Sequence, residues 1–158
     1  MKQQSNRIEK IILEIQNNPG IRFSELARIC HIPTSTMTYY ASKLEKLGTT
    51  KIRKKASECR FFPLHIGSHE KAIIITLRKS SHRSILLLLQ RKERLFSDIC
   101  KATGLAPSTI SVKLDSLVRL GIIEYRLYNK SKTFRIKDPK NTLEIIRKYQ
   151  HLIKISEP

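Results

Sequence analysis

The side chains of this sequence best suited to chemistry are hydroxyls and cations, and they come in two sets. The first is Thr34, Ser35, Thr36, Thr38, Tyr39, Ser42, Lys43 and Lys46; the second is Pro107, Ser108, Thr109, Ser111, Val112 and Lys113. Hydroxyls both donate and accept, so they suit anionic oxygens and the mixed donor–acceptor edges of heterocycles. Threonine methyls and a tyrosine ring add apolar surface. Cations follow each set: Arg53, Lys54, Lys55 and Arg60, then Arg126, Lys130, Lys132 and Arg135.

Other chemistries are poorly supplied. His65 and His69 have a chelating spacing, with Cys59 near and His82 further on, but Gly67 and Ser68 interrupt any helix between them and no Cys-x-x-Cys is present. No metal is expected. Cys30 and Cys100 read as small core residues, and three cysteines without paired spacing point to a reducing, intracellular setting. The acids are scattered, the five glycines form no phosphate cradle, and no Ser/His/Asp set stands out. Neither an enzyme nor a cofactor is expected.

The two sets belong to a repeat. FSELARICHIPTSTMTYYASKLEKLG (Phe23–Gly48) recurs without a gap, 73 residues on, as FSDICKATGLAPSTISVKLDSLVRLG (Phe96–Gly121). The same shift carries Arg53 to Arg126 and Phe61 to Phe134. A repeat decides organisation before any other reading, and here it gives two small domains.

The elements that must position the hydroxyls follow from periodicity. Ile8, Ile11, Ile12 and Ile15 predict a helix over Asn6–Asn17, stopped by Asn18-Pro19-Gly20. Ser24 is the expected cap of a helix running to about Cys30. After the turn His31-Ile32-Pro33, Thr34–Leu47 is a helix whose stripe Met37, Ala41, Leu44 and Leu47 faces inward, with Gly48 as a left-handed cap. Thr50–Lys54 and Cys59–Leu64 predict a hairpin about Lys55–Glu58, and Ile122–Tyr128 with Thr133–Ile136 predict its counterpart about Asn129–Lys132. Helix, helix-turn-helix and hairpin in that order make a winged helix. The fold class is mainly α with small β-hairpin wings: two tandem winged-helix domains plus linking and C-terminal helices. The expected boundaries are 1–66 and 81–138 for the domains, 67–80 for a linker helix and 139–158 for a C-terminal helix. Ala72–Leu77 is too apolar for a solvated linker, so it must pack on a domain or another chain.

Charge narrows the partner. The chain has 31 Lys+Arg against 13 Asp+Glu, a formal +18, and each half carries +9. Thermophile-type charge brings matching acids; a doubled basic excess fits nucleic acid. In a helix-turn-helix the second helix enters the major groove. The first hydroxyl set would then read bases or grip phosphate, with one hydroxyl of Thr34-Ser35 capping the helix instead. The wing cations would lie on the backbone or in the minor groove. Asp115, at the place of Ser42, opposes phosphate unless it accepts from a cytosine amine or has an internal partner. The first copy is therefore expected to be the better base reader, and the second to bind mainly through its wing.

PGIRFSELARICHIPTSTMTYYASKLEKLG and LFSDICKATGLAPSTISVKLDSLVRLGIIEYR resemble winged helix-turn-helix regulators of the broad MarR/ArsR class, above all archaeal tandem winged-helix transcriptional regulators, over residues 6–137. The resemblance implies that Thr34–Tyr39, Lys43 and Pro107–Lys113 contact double-stranded DNA in a sequence-specific transcriptional regulator. The chain departs at Gly48-Thr49-Thr50, where the second copy has the more usual Gly121-Ile122-Ile123, and it lacks the metal-thiolate cysteine pair of classical ArsR sensors. The alternatives are a chromatin protein coating DNA without preference, or a protein-interaction module of a transcription assembly. A homodimer through the Ala72–Leu77 helix or the C-terminal helix is the assembly these elements offer, and the basal transcription machinery is a further candidate partner. No membrane partner is expected, and the expected location is the cytoplasm, on the nucleoid.

Overall fold

The structure is a computed structural model that describes residues 2–55 and 58–155. The chain divides into two compact units, Met1–Gly67 and Ser68–Pro158.

In the first unit, α1 (Lys2–Asn17) buries Ile11 and Ile15 completely. Gly20, at φ 74, turns the chain into the short strand β1 (Ile21–Arg22). Helix α2 (Phe23–Ile29) is started by Glu25, whose carboxylate accepts from the Arg22 backbone amide at 3.1 Å. The expected cap, Ser24, lies inside the first turn, because Glu25 already satisfies the amide at the helix entrance. Helix α3 (Thr34–Lys46) follows, then strands β2 (Thr50–Lys55) and β3 (Glu58–Pro63). β2 forms although Thr49-Thr50 stand where the second copy has Ile122-Ile123; the sheet order is β1-β3-β2, antiparallel throughout. The turn residues Ala56 and Ser57 lie outside the described residues.

The core of this unit joins Ile11, Ile15, Leu26, Met37, Leu44 and Phe61 across α1, α2, α3 and β3. The inward stripe of α3 is Met37, Tyr40 and Leu44; Leu47, expected to continue it, is 58% exposed. The helix has ended by then. The Gly48 amide donates to the Glu45 carbonyl (3.1 Å) and the Thr49 amide to Leu44 (3.3 Å), with Gly48 at φ 61. That left-handed closure swings Leu47 outward.

In the second unit, α4 (Ser68–Arg78) and α5 (Ser80–Arg91) precede β4 (Arg94–Leu95), α6 (Phe96–Thr103), α7 (Pro107–Arg119), β5 (Ile123–Tyr128) and β6 (Ser131–Ile136); α8 (Pro139–Lys148) and α9 (His151–Ile155) end the unit. The sheet order is β4-β6-β5. Every element from β1 to β3 has its counterpart from β4 to β6 starting 73 residues on. The strand register repeats as well: Ile52 lies opposite Phe61, and Tyr125 opposite Phe134.

The segment 67–80, read from sequence as a linker helix, folds as α4, packs against α5, α8 and α9, and buries every residue from Ala72 to Leu77. Arg83, itself buried, donates to the Leu77 carbonyl at 3.0 Å and so closes the end of α4. Of the two expected roles for this apolar face, packing on a domain or on another chain, the structure shows the first. The single C-terminal helix expected over 139–158 is two. Asp138 caps α8 by accepting from the Asn141 amide (3.2 Å), and a break at Tyr149-Gln150 precedes α9. Glu70 on α4 accepts from both the Tyr149 hydroxyl (2.7 Å) and Lys148 (2.8 Å), which fixes α8 in place. No helix among the described residues is long and apolar enough to cross a membrane.

Candidate nucleic-acid interface

Each helix-turn-helix buries one side of its second helix, so the chemistry falls to the other side. On α3 the outward residues are Ser35, Thr38, Tyr39, Ser42, Glu45 and Lys46; on α7 they are Ser108, Ser111, Val112, Asp115 and Arg119. The two lists match at the 73-residue shift except at Glu45, whose counterpart Val118 is half-buried. Thr34 and Pro107 are exposed at the helix starts, while Thr36 and Thr109 are half-buried. Neither helix has an acid in its first turn, so no carboxylate offsets the positive end of either helix dipole.

No hydroxyl caps α3: its N-cap is Pro33, and α7 likewise starts from Ala106. The expected capping role of Thr34-Ser35 is therefore absent, because proline in extended conformation enters the helix before either side chain is in position. Thr38 spends its proton on the Thr34 carbonyl at 3.0 Å, so its exposed hydroxyl oxygen is left to accept. Tyr39 packs edge-on against the buried Tyr40 ring (centroids 5.4 Å apart), and Lys43 lies 6.0 Å from the Tyr39 centroid. The exposed tyrosine is thus contacted on two sides.

Lys113 stands apart from this outward set. It occupies the place of buried Tyr40 and is half-buried, and its charge helps hold the His82 imidazole of α5 down to about 4, after desolvation and together with Lys79. Asp115 has the internal partner it needs, since Arg119 lies 3.7 Å away one turn on, both side chains largely exposed. Arg119 was not singled out from sequence. The signal was available, because it falls on Lys46.

The wings differ in what they leave free. Arg53 is half-buried and Lys54 exposed, with Lys54 bridging to Glu45 at 3.0 Å. The Lys55 side chain lies outside the described residues. Arg60, expected with the DNA-facing cations, is only 3% exposed: it donates to the Gly20 carbonyl (2.7 Å) and to Glu58 (3.3 Å), which also accepts from Arg22 (3.2 Å). Its strand sits in the middle of the sheet, and burial is tolerable because each guanidinium nitrogen donates a hydrogen bond and Glu58 balances the charge. In the second wing Arg135 is held by Glu124 directly opposite it on β5 (Nε to carboxylate 2.6 Å). Arg126, Lys130 and Lys132 are exposed, with Lys132 over the Tyr125 ring at 4.7 Å.

No group of three or more metal-ligating side chains occurs among the described residues. Burial raises the thiols of Cys30 and Cys59, which keeps them protonated and unreactive.

Sequence comparisons agree with this geometry. Residues 5–49 match the model of the winged helix-turn-helix DNA-binding family, and residues 80–125 that of the bacterial regulatory protein, arsR family. Each of the two units thus carries its own match to a helix-turn-helix family model, in tandem along the chain. The chain is 26% identical over 110 residues to an uncharacterised helix-turn-helix-type transcriptional regulator of Methanocaldococcus jannaschii, an alignment covering 70% of this chain and 28% of that protein. This chain thus spans little more than a quarter of that relative's length. Among solved structures it is similar to the homodimeric winged helix-turn-helix DNA-binding domain of a Mycobacterium bovis protein (25% identity, TM-score 0.46, 53% of this chain and 82% of that one). It is also similar to the transcriptional repressor BigR of Xylella fastidiosa (21% identity, TM-score 0.45, 51% and 82%).

Proposed function

We propose that the chain is a sequence-specific regulator that reads double-stranded DNA with two recognition helices, α3 and α7, each in a major groove. The observation that carries this reading is the outward set Ser35, Thr38, Tyr39, Ser42 and Lys46 with its counterpart Ser108, Ser111, Val112, Asp115 and Arg119. Small hydroxyls bond phosphates or bases, Tyr39 and Val112 offer apolar contact to a thymine methyl, and Lys46 and Arg119 supply phosphate charge. Thr34, Pro107, Thr36 and Thr109 flank the groove-facing row. Of the wing cations, Arg53, Lys54, Arg126, Lys130 and Lys132 are assigned to the backbone or minor groove, and Lys55 with them by its place in the hairpin. Lys43 serves by bracing Tyr39, and Lys113 by its charge behind α7.

The test is selection of duplexes from a random library, followed by titration of the winner and a scrambled duplex across a salt series. A regulator prefers its site by about 10³-fold or more. Equal affinities that both fall steeply with salt would replace this reading with a DNA-coating role. No binding at low salt would overturn both.

A further inference from the structure

We infer that the wing of the second unit carries an apolar wedge that enters between base-pair steps of duplex DNA, unstacks them and bends the duplex. This rests on the DNA-binding reading above. The hairpin β5–β6 closes through Asn129 and Lys130 alone, both left-handed (φ 45 and 62), with Tyr128 opposite Ser131. That two-residue turn makes Leu127 and Tyr128 the last residues of β5, and leaves them 69% and 73% exposed. Successive strand residues point to opposite faces, so the tip is apolar on both sides. At the equivalent positions the first wing has Lys54 and Lys55.

The occupant follows from the surroundings. Arg126, Lys130 and Lys132 are exposed around the tip, and the hairpin's acid, Glu124, lies at its base and is neutralised by Arg135. Exposed leucine and tyrosine ringed by uncompensated cations suit a partner that is anionic outside and apolar within. A stacked duplex has that structure: phosphates meet the cations, and an opened base step takes the side chain. The hairpin also belongs to the same unit as the reading helix, since β5 follows α7 and packs on it. Lys132 over Tyr125, and Tyr125 against Phe134 (5.9 Å), stiffen the strands behind the tip.

The experiment uses the full chain and the selected duplex, carrying 2-aminopurine at successive positions in one series and terminal dyes for energy transfer in another. Wild type is expected to raise 2-aminopurine emission severalfold at one step and to shorten the end-to-end distance by a bend of about 20–90°. Leu127→Ser/Tyr128→Ser, at surface positions where folding is not at stake, is expected to abolish both signals while keeping the motif preference. Wild type that binds its motif without unstacking or bending would overturn the wedge and leave the DNA reading intact. A double variant that still bends the duplex would overturn it too, as would wild-type self-association lost in that variant, which would make the tip a protomer contact. Failure of wild type to bind any duplex would remove the DNA reading itself, and the wedge with it.

Discussion

The two wings hang on one frame and have become different instruments. Arg53 opposite Arg60 and Arg126 opposite Thr133 are the same pair of positions in the two sheets, yet their chemistry has parted. The first sheet buries Arg60 in a network with Glu58, Arg22 and the Gly20 carbonyl, and its tip is lysine. The second sheet needs no buried charge there. It is braced by Glu124 with Arg135 and by an aromatic pair, and its tip is Leu127-Tyr128. A repeated backbone therefore does not imply a repeated task, and the difference lies in where each unit spends its cations.

The comparison breaks most sharply at Arg60. Removing the guanidinium takes the donor from the Gly20 carbonyl and leaves a cavity beside Glu58, which keeps Arg22, so Arg60→Ala should destabilise the first unit by about 3 kcal/mol. Thr133→Ala, the matching change in the second unit, should cost under about 1 kcal/mol. Urea unfolding of the two variants tests this, and equal losses would sink the distinction between the sheets.

His82 gives a contrast in pH. Its folded-state value of about 4 lies below the ordinary 6.5, because burial and the neighbouring lysines disfavour the charged form. Between those values the unfolded chain binds a proton that the folded one refuses. Stability of the second unit should therefore be full above about 6.5 and decline as pH falls toward 4, and His82→Gln should flatten that decline. Its counterpart Glu9 is exposed on α1, so the first unit should lack this His-linked slope. Unfolding curves across the window, followed separately in each unit, decide it.

At the reading faces, Tyr39→Ala and Val112→Ala should each relax preference at a different base pair by about 1–3 kcal/mol, seen by repeating the selection. Relaxation at one position for both would mean that only one helix reads. The smallest effect is at His31, held at φ 55 where the second unit has Gly104 at φ 66. Left-handed backbone is strained for a histidine, and His31→Gly should stabilise the first unit by up to about 1 kcal/mol, measured as a rise in Tm.

Much of this was legible in the sequence, and the reasons are local. A gapless repeat, Gly48 and Gly121 as helix stops, and hydrophobic spacing in each helix all act over a few residues, so the helix-turn-helix units and wings follow from reading along the chain. What escaped depends on residues brought from afar or on conformation without a side-chain marker. Arg60 looks like any wing cation until Gly20, forty residues earlier, lends its carbonyl. Lys113 looks like a groove cation until it is set on the place of Tyr40. The second turn is shorter than composition suggests, because Lys130 takes a left-handed position usually held by glycine. The apolar face of α4 fitted a domain or a partner chain equally well, and only the arrival of α5, α8 and α9 of its own unit decides between them.

Matched elements with unmatched faces bear on what a target must look like. A homodimer of identical readers imposes its two-fold on the DNA, and its operators are palindromes. Here Tyr39 answers to Val112, Ser42 to Asp115 and a lysine tip to a leucine–tyrosine tip. On the reading proposed above, a site bound by one such chain has a left end and a right end. It is an arrow rather than a mirror, so a single bound molecule could point toward one gene and away from its neighbour.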